Sequence, residues 1–494
     1  MVRDPATVAA APRAQAPEWV VLLLVCLGQF MVILDVSIVN VALPSIRSDL
    51  GFSTTSLQWV VNAYTLVFAG FLLLGGRAAD LFGRRRLFLI GVTMFALASL
   101  AGGLAQNQYE LVAARALQGL GGAVLAPATL TIILATYTEP AARAKALGAW
   151  AAVAGAGGAS GALLGGIITD ALSWRWIFFV NVPVGVLVFL GARLAINETR
   201  GTQAHRHLDV LGSITATAGL VAITWGFVRS NTVGWSSFEV LGSFLVGAAL
   251  LAWFVLIEAQ APAPLLPLRL FRSRAVTASN VVMIGITAAI FPMWYFLTLY
   301  FQNVRGDSPL VAGIAFLPLT FAVIVSAQLA SRLIPRIGAR PLLAGGPLLS
   351  AVGLVWLAQL SVDAALIWVL IPGAAVTFGL GLTFPAVTMA ASAGVAPAEA
   401  GLVSGVVNTT RQVGASLGLA VLTTLAASHT AGLVGPGVSA GAALTKGFGF
   451  ALAIAACIAA AAALVGLVVP SRTRPRVPAR VVETSELGAQ ADAA

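Results

Sequence analysis

Between Trp19 and Val469 the sequence falls into long runs with almost no charge, punctuated by short segments rich in Arg, Gly and Pro. A run of about 20 residues crosses a hydrocarbon core about 30 Å thick, and a backbone in hydrocarbon must satisfy its own polar groups inside a helix or a closed barrel. The runs are too long and too continuously apolar for barrel strands, so a bundle of membrane-spanning helices is expected. Composition agrees: of 494 residues 59% are hydrophobic and 9% charged, against about 25% charged in soluble domains. No room is left for a large soluble domain.

Apolar runs bounded by charge or Gly/Pro punctuation place spans near 19–43, 57–76, 87–105, 110–135, 143–168 and 174–196, then 208–228 and 237–257, then 275–300, 309–331, 341–360, 364–391, 400–426 and 446–469. The grouping is six, two, six. It divides the chain into a tail (1–18), a six-helix bundle (19–197), an inserted pair (198–260), a second six-helix bundle (261–470) and a tail (471–494). The first run is too long for a signal-peptide core and is read as an uncleaved span.

Several function classes drop out. An ATP-driven pump needs a G-x-x-x-x-G-K-[ST] loop, but the only lysines, Lys145 and Lys446, follow Ala144 and Thr445. Cys26 and Cys457 lie inside apolar runs and read as small hydrophobes rather than a disulfide framework. Gly437 to Gly441 spells G-x-S-x-G with no flanking strand, and His205, His207 and Asp209 read as a solvated loop rather than a metal site. No enzyme, metal or cofactor is expected.

The formal charge of +10 has a topological explanation. With the N-terminus inside, inner segments hold 21 of the 28 basic residues, outer loops hold five (Arg47, Arg175, Arg229, Arg305 and Lys446), and Arg115 and Arg411 lie within spans. That bias fits both termini in the cytoplasm and leaves nucleic-acid binding without support.

The two sixes look like copies. Gly76 to Leu87 aligns with Ser331 to Leu342 at an offset of 255, repeating Arg, Gly, Arg and Leu in register, and Gly158-Ala159-Ser160 aligns with Gly414-Ala415-Ser416 at 256. Parallel repeats of this kind build one large class of secondary transporters, with the substrate site between the halves.

Four motifs now carry a family resemblance. Leu34-Asp35-Val36-Ser37-Ile38-Val39-Asn40-Val41-Ala42-Leu43-Pro44, Gly76 to Arg86, Leu111 to Gly119 and Trp174 to Gly185 stand in order, and together they resemble the fourteen-span drug:proton antiporter branch of the major facilitator superfamily. The resemblance covers nearly the whole chain. It implies a plasma-membrane transporter that exports small lipophilic drugs or antibiotics in exchange for protons, needs no cofactor and works as a monomer in the lipid bilayer. One departure stands out. The fifth-helix antiporter motif runs Gly157-Gly158-Ala159-Ser160-Gly161-Ala162-Leu163-Leu164-Gly165-Gly166, with Ala162 where the family has proline. Its Gly157, Gly161, Gly165 and Gly166 read either as that motif's surface or as small residues for close helix packing.

Asp35 is the first candidate for proton coupling, because an ionised carboxylate deep in a span is expensive and is relieved by taking up a proton. Its depth, in the outer half of the first span, overlaps that of Arg115 in the fourth, and the resemblance implies that both helices face one cavity. The alternative is a static ion pair. For Gly76, Asp80, Gly83, Arg84 and Arg85 the resemblance implies a gating loop in which the aspartate contacts a neighbouring helix end; composition alone makes it a positive-inside loop. Arg411 is the other charge within a span, with no acidic residue in the last six spans to pair with it. With Asn40, Gln118, Trp294 and Tyr295 it is a candidate for lining the substrate cavity. The rival readings are a proton-coupled symporter or facilitator of a metabolite, favoured by Ala162, and a non-transporting membrane sensor.

Overall fold

The computed structural model describes residues 16–53, 55–199, 208–261, 264–393, 395, 399–433 and 438–470. Within them fourteen helices are long and apolar enough to cross a membrane: α1 (Glu18–Leu50), α2 (Ser56–Phe82), α3 (Arg84–Leu104), α4 (Gln108–Thr136), α5 (Ala141–Ala171), α6 (Trp176–Ala195), α7 (Val210–Val233), α8 (Phe238–Gln260), α9 (Arg274–Val304), α10 (Pro309–Ile337), α11 (Arg340–Leu357), α12 (Ile367–Ser392), α13 (Gly401–Leu433) and α14 (Ala440–Gly466). Among the described residues there is no strand. The chain is an all-α, multi-pass membrane protein.

Every expected span is present, but several helices outrun their apolar stretch. Charge and proline end an apolar run without ending a helix: α1 continues through Pro44 to Leu50 and stops at Gly51, whose φ of 69° lets its N–H close onto the Arg47 carbonyl. Asp35 lies 17 residues from Glu18 and 15 from Leu50, near the middle of the helix.

The halves repeat one packing scheme. In the first, α1 packs on α4, α5 and α6, α2 on α4, and α3 on α4 and α6; in the second, α9 packs on α12, α13 and α14, α10 on α12, and α11 on α12 and α14. Shifting each helix number by eight converts one set into the other. The halves meet where α2 packs on α13, α5 on α10, and α1 on α9. Ser416 donates to Asn62 Oδ1 at 2.9 Å across the first seam, and Gln302 donates to the Val41 carbonyl at 2.8 Å across the last.

The inserted pair α7 and α8 forms a hairpin against one seam. Helix α7 touches both α2 and α13, whereas α8 buries only Val240, Gly247 and Glu258 and is the more peripheral of the two. Contact with α2 is steric: a Cβ at Gly70 would lie 1.8 Å from the Thr217 hydroxyl. Contact with α13 is hydrogen-bonded, with Asn231 donating to the Thr424 carbonyl at 3.2 Å, Thr424 donating to the Phe227 carbonyl at 3.0 Å, and Ser428 donating to Asn231.

Candidate functional site

At the centre of the first half two helices deliver three donors to one carboxylate. Arg115 on α4 donates to Asp35 Oδ2 at 2.5 Å, Gln118 one turn further donates to Oδ1 at 2.7 Å, and Asn181 on α6 reaches the same Oδ1 at 3.4 Å. Asp35 is fully buried and Arg115 is 2% exposed. Both carboxylate oxygens accept from these donors, one of them the charged guanidinium.

Arg115 is itself held from several sides. Its Nε donates to the Val60 carbonyl at 2.9 Å, and the same NH1 that meets Asp35 also meets Gln118 Oε1 at 2.6 Å. The guanidinium carbon lies 4.5 Å from the centre of the Tyr64 ring and 5.8 Å from that of Phe178. A lysine has no planar fork and cannot reproduce this set.

Spacing explains the arrangement. Arg115 and Gln118 are three apart and share a helix face, while α6 is interrupted at Val180, between Phe179 and Asn181, where Asn181 can serve two partners. Its amide donates to Ser99 on α3 at 3.0 Å as well as to Asp35. Sequence reasoning named Asp35, Arg115 and Gln118 and missed Asn181. The available signal was an amide two residues before a proline inside the Trp174 to Gly185 motif.

The fifth-helix glycines have two faces. Added Cβ atoms at Gly157, Gly161 and Gly165 would sit 3.1 Å from Ile33, 2.5 Å from Ser37 and 2.8 Å from the Ile38 carbonyl, so these three seat α1 beside Asp35. Gly166 instead meets α10, 2.7 Å from the Pro309 carbonyl, and the Ala162 carbonyl lies 2.5 Å from where Gly313 would carry a Cβ. The motif thus packs the first half internally and also contacts the second.

Around the turn between α2 and α3, Asp80 pairs with Arg84 of its own motif at 3.0 Å. The helix N-terminus of α3 is occupied by another carboxylate: Glu198 accepts from the backbone N–H groups of Arg85 and Arg86, each at 3.1 Å. Gly83, at φ 111°, makes room, since a Cβ there would lie 2.5 Å from Glu198 Oε1. Arg85 also donates to the Arg193 carbonyl at 2.7 Å and the Arg84 N–H to the Thr199 carbonyl at 3.0 Å, so the end of α6 is docked onto this turn. Gly76 is in ordinary contact with Pro127, and it is Gly75 that permits close approach, with a Cβ position 2.2 Å from the Ala123 carbonyl.

The remaining cavity candidates have other partners. Asn40 donates to Val36 of its own helix at 2.9 Å, Trp294 packs on Phe316 at 5.1 Å, and Tyr295 is buried against Phe296. Arg411 donates to Asn408 Oδ1 at 2.6 Å, lies 5.9 Å from the Phe384 ring, and makes no ion pair among the described residues. Among the described residues no group of three or more His, Cys, Asp or Glu side chains forms a metal site.

Comparison with known proteins supplies the family. The Major Facilitator Superfamily profile matches residues 25–419. A cephamycin export protein of Amycolatopsis lactamdurans is 43% identical over 83% of this chain and 85% of its own length. A puromycin resistance protein of Streptomyces alboniger is 41% identical over 93% of each chain. Among solved structures, a bacterial homologue of the human lysosomal transporter Spinster superimposes with a TM-score of 0.65 at 18% identity, over 94% of this chain and 98% of that one.

Proposed function

The chain belongs to the Major Facilitator Superfamily and is a transporter rather than an enzyme, and from that premise we propose that it exports antibiotics or similar small lipophilic compounds in exchange for protons. The reading rests on one observation above all: a fully buried carboxylate midway along α1, Asp35, that accepts from donors on α4 and α6. Proton uptake by Asp35 neutralises the partner of Arg115, releases the guanidinium and biases the two access states. Substrate leaves with Asp35 in the opposite protonation state.

Residues 19–197 and 261–470 form the two rocking units, with 198–260 inserted between them. Gly157, Gly161, Gly165 and Gly166 provide the close surface on which α5 moves against α1 and α10, and the Gly76, Asp80, Gly83, Arg84 and Arg85 turn gates the inner end. Asn40, Gln118, Trp294, Tyr295 and Arg411 line the route. The protein sits in the plasma membrane as a monomer with both termini in the cytoplasm, as the arginine distribution favours. The proton gradient is the only energy source required. One proton moving through ~150 mV supplies roughly 3.5 kcal/mol, enough for a gradient of a few hundredfold.

The experiment uses everted vesicles energised by respiration and a panel of dyes and antibiotics. Substrate-induced proton release from the lumen supports antiport; wild-type coupling in Asp35→Asn would sink the assignment. Ala162 favours a symport alternative, and proton flux in the same direction as the substrate would establish it.

A further inference from the structure

Where the inserted hairpin closes at its base, two carboxyl groups meet. Helices α7 and α8 run antiparallel: a Cβ at Gly226 would lie 2.6 Å from Ser243 and one at Gly219 2.9 Å from Leu251, so each step toward the start of α7 is a step toward the end of α8. Carried to the last turn, that register sets Asp209, the cap of α7, beside Glu258, and their carboxyl groups are within hydrogen-bonding reach of each other. Each has one oxygen committed to backbone. Asp209 Oδ1 accepts from the Gly212 N–H at 2.7 Å, and Glu258 Oε2 accepts from the Leu266 N–H at 3.0 Å. The other two oxygens, Asp209 Oδ2 and Glu258 Oε1, are buried with no hydrogen-bond donor, and Glu258 is 3% exposed. Among the described residues no ion pair involves either group: Arg269 pairs with Glu399 and Arg84 with Asp80, while Arg77 at the end of α2 donates to the Pro264 carbonyl at 3.4 Å. His205, Arg206 and His207, just before Asp209, lie outside the described residues.

Two bare acceptors in contact repel, and a proton between them turns the contact into a hydrogen bond. A metal ion fits the site less well. Zinc takes about four ligands and calcium about six to eight, whereas two oxygens remain here and no group of three or more His, Cys, Asp or Glu forms among the described residues. We propose that Asp209 and Glu258 share one proton, forming a proton-binding site separate from Asp35, and that this proton fastens the strap 264–266 to the hairpin. The strap leads from α8 toward the second half, and Arg77 holds it from the first, beside the turn between α2 and α3. Loss of the proton leaves two anions side by side. Asp209 is tied to its own helix by the cap, so Glu258 swings away and the Leu266 amide loses its acceptor. The fastening therefore depends on the pH at that membrane face, whichever way substrate and protons move through the centre.

The test is hydrogen exchange on the purified full chain in detergent, following the peptide that carries the Leu265 and Leu266 amides, with rates corrected for intrinsic exchange. Two carboxyl groups sharing a site hold one proton far above the ordinary carboxylate range, so protection is compared at pH about 6 and about 9. The wild type is expected to lose at least tenfold in protection between the two. Glu258→Gln and Asp209→Asn each put an N–H donor where the proton was, and asparagine keeps the cap on α7. Both variants should hold protection within threefold across the range, and both should melt no lower than the wild type at pH about 9. Equal protection of the wild type at the two pH values would overturn the proposal. So would a tenfold loss that persists in both variants, which would assign the effect to His205 or His207, and so would failure of both variants to fold. Restoration of protection at the higher pH by magnesium or zinc, with its loss to a chelator at the lower, would make the occupant a cation and overturn the shared proton.

Discussion

Ser37 on α1 donates its hydroxyl to the carbonyl of Gly158 on α5 at 2.7 Å, and Gly158 is the residue four positions before Ala162. That carbonyl is the one a proline at position 162 would strip of its helical N–H partner. The chain therefore already holds a second donor where the antiporter motif would need one, although it carries alanine.

Ala162→Pro is accordingly expected to fold, with a modest drop in Tm, because neighbouring hydroxyls can re-satisfy a backbone freed by proline inside a membrane. Ser37→Ala alone removes a bond worth about 1 kcal/mol. The double variant should lose more Tm than the two singles added together. Strict additivity would mean that Ser37 does not support the kink.

The Asp35 group makes a prediction that separates stability from transport. Asp35→Asn leaves Arg115 buried beside an amide, and breaking a buried pair from one side costs about 3–5 kcal/mol. A large Tm loss is expected in Asp35→Asn, with partial recovery in Asp35→Asn/Arg115→Gln and no recovery of proton-coupled export. Arg115→Lys, which keeps the charge and loses the fork, should lower export at least tenfold. Export at the wild-type rate in the double variant would remove the pair from the mechanism.

At the turn between α2 and α3 the carboxylate that caps the helix is Glu198. A cap of this kind is worth ~0.5–2 kcal/mol, whereas a partly exposed pair such as Asp80 with Arg84 contributes about 0–1 kcal/mol. Glu198→Ala should speed hydrogen exchange at the Arg85 and Arg86 amides several-fold, and Asp80→Asn should leave those two amides nearly unchanged. The reverse order would assign the cap to Asp80.

The hairpin of α7 and α8 is hydrogen-bonded to α13, and against α2 it packs Thr217 on Gly70 and Trp225 on Trp59. A disulfide between Asn231→Cys and Ser428→Cys, in a background with Cys26 and Cys457 replaced, is expected to leave transport intact. One between Gly70→Cys and Thr217→Cys should arrest it. Arrest by both would show that the hairpin slides against each half.

Much of this architecture was legible in the residues. Apolar length alone located fourteen spans, because hydrocarbon leaves the backbone few options, and the rarity of charge singled out Asp35, Arg115 and Arg411. Helix ends were less legible: Pro44 and the charged residues after Gly76 interrupt hydrophobicity but not hydrogen bonding, so α1 and α2 run past their apolar stretches. Asn181 and Glu198 escaped notice for a related reason. Neither is unusual by type, and their roles arise from where α6 breaks and ends against other helices, which no local pattern encodes.

Thr199 is bonded to the start of α3, and Asp209 caps α7 through the Gly212 N–H at 2.7 Å. The hairpin thus leaves the first half from a fixed point yet is fastened to the second, and the ten residue steps between those anchors reach at most about 33–36 Å. Whatever path the intervening residues take, chain length alone bounds how far the start of α7 can stand from the turn between α2 and α3, so the point where the hairpin begins is set by the first half even though its hydrogen bonds are to the second.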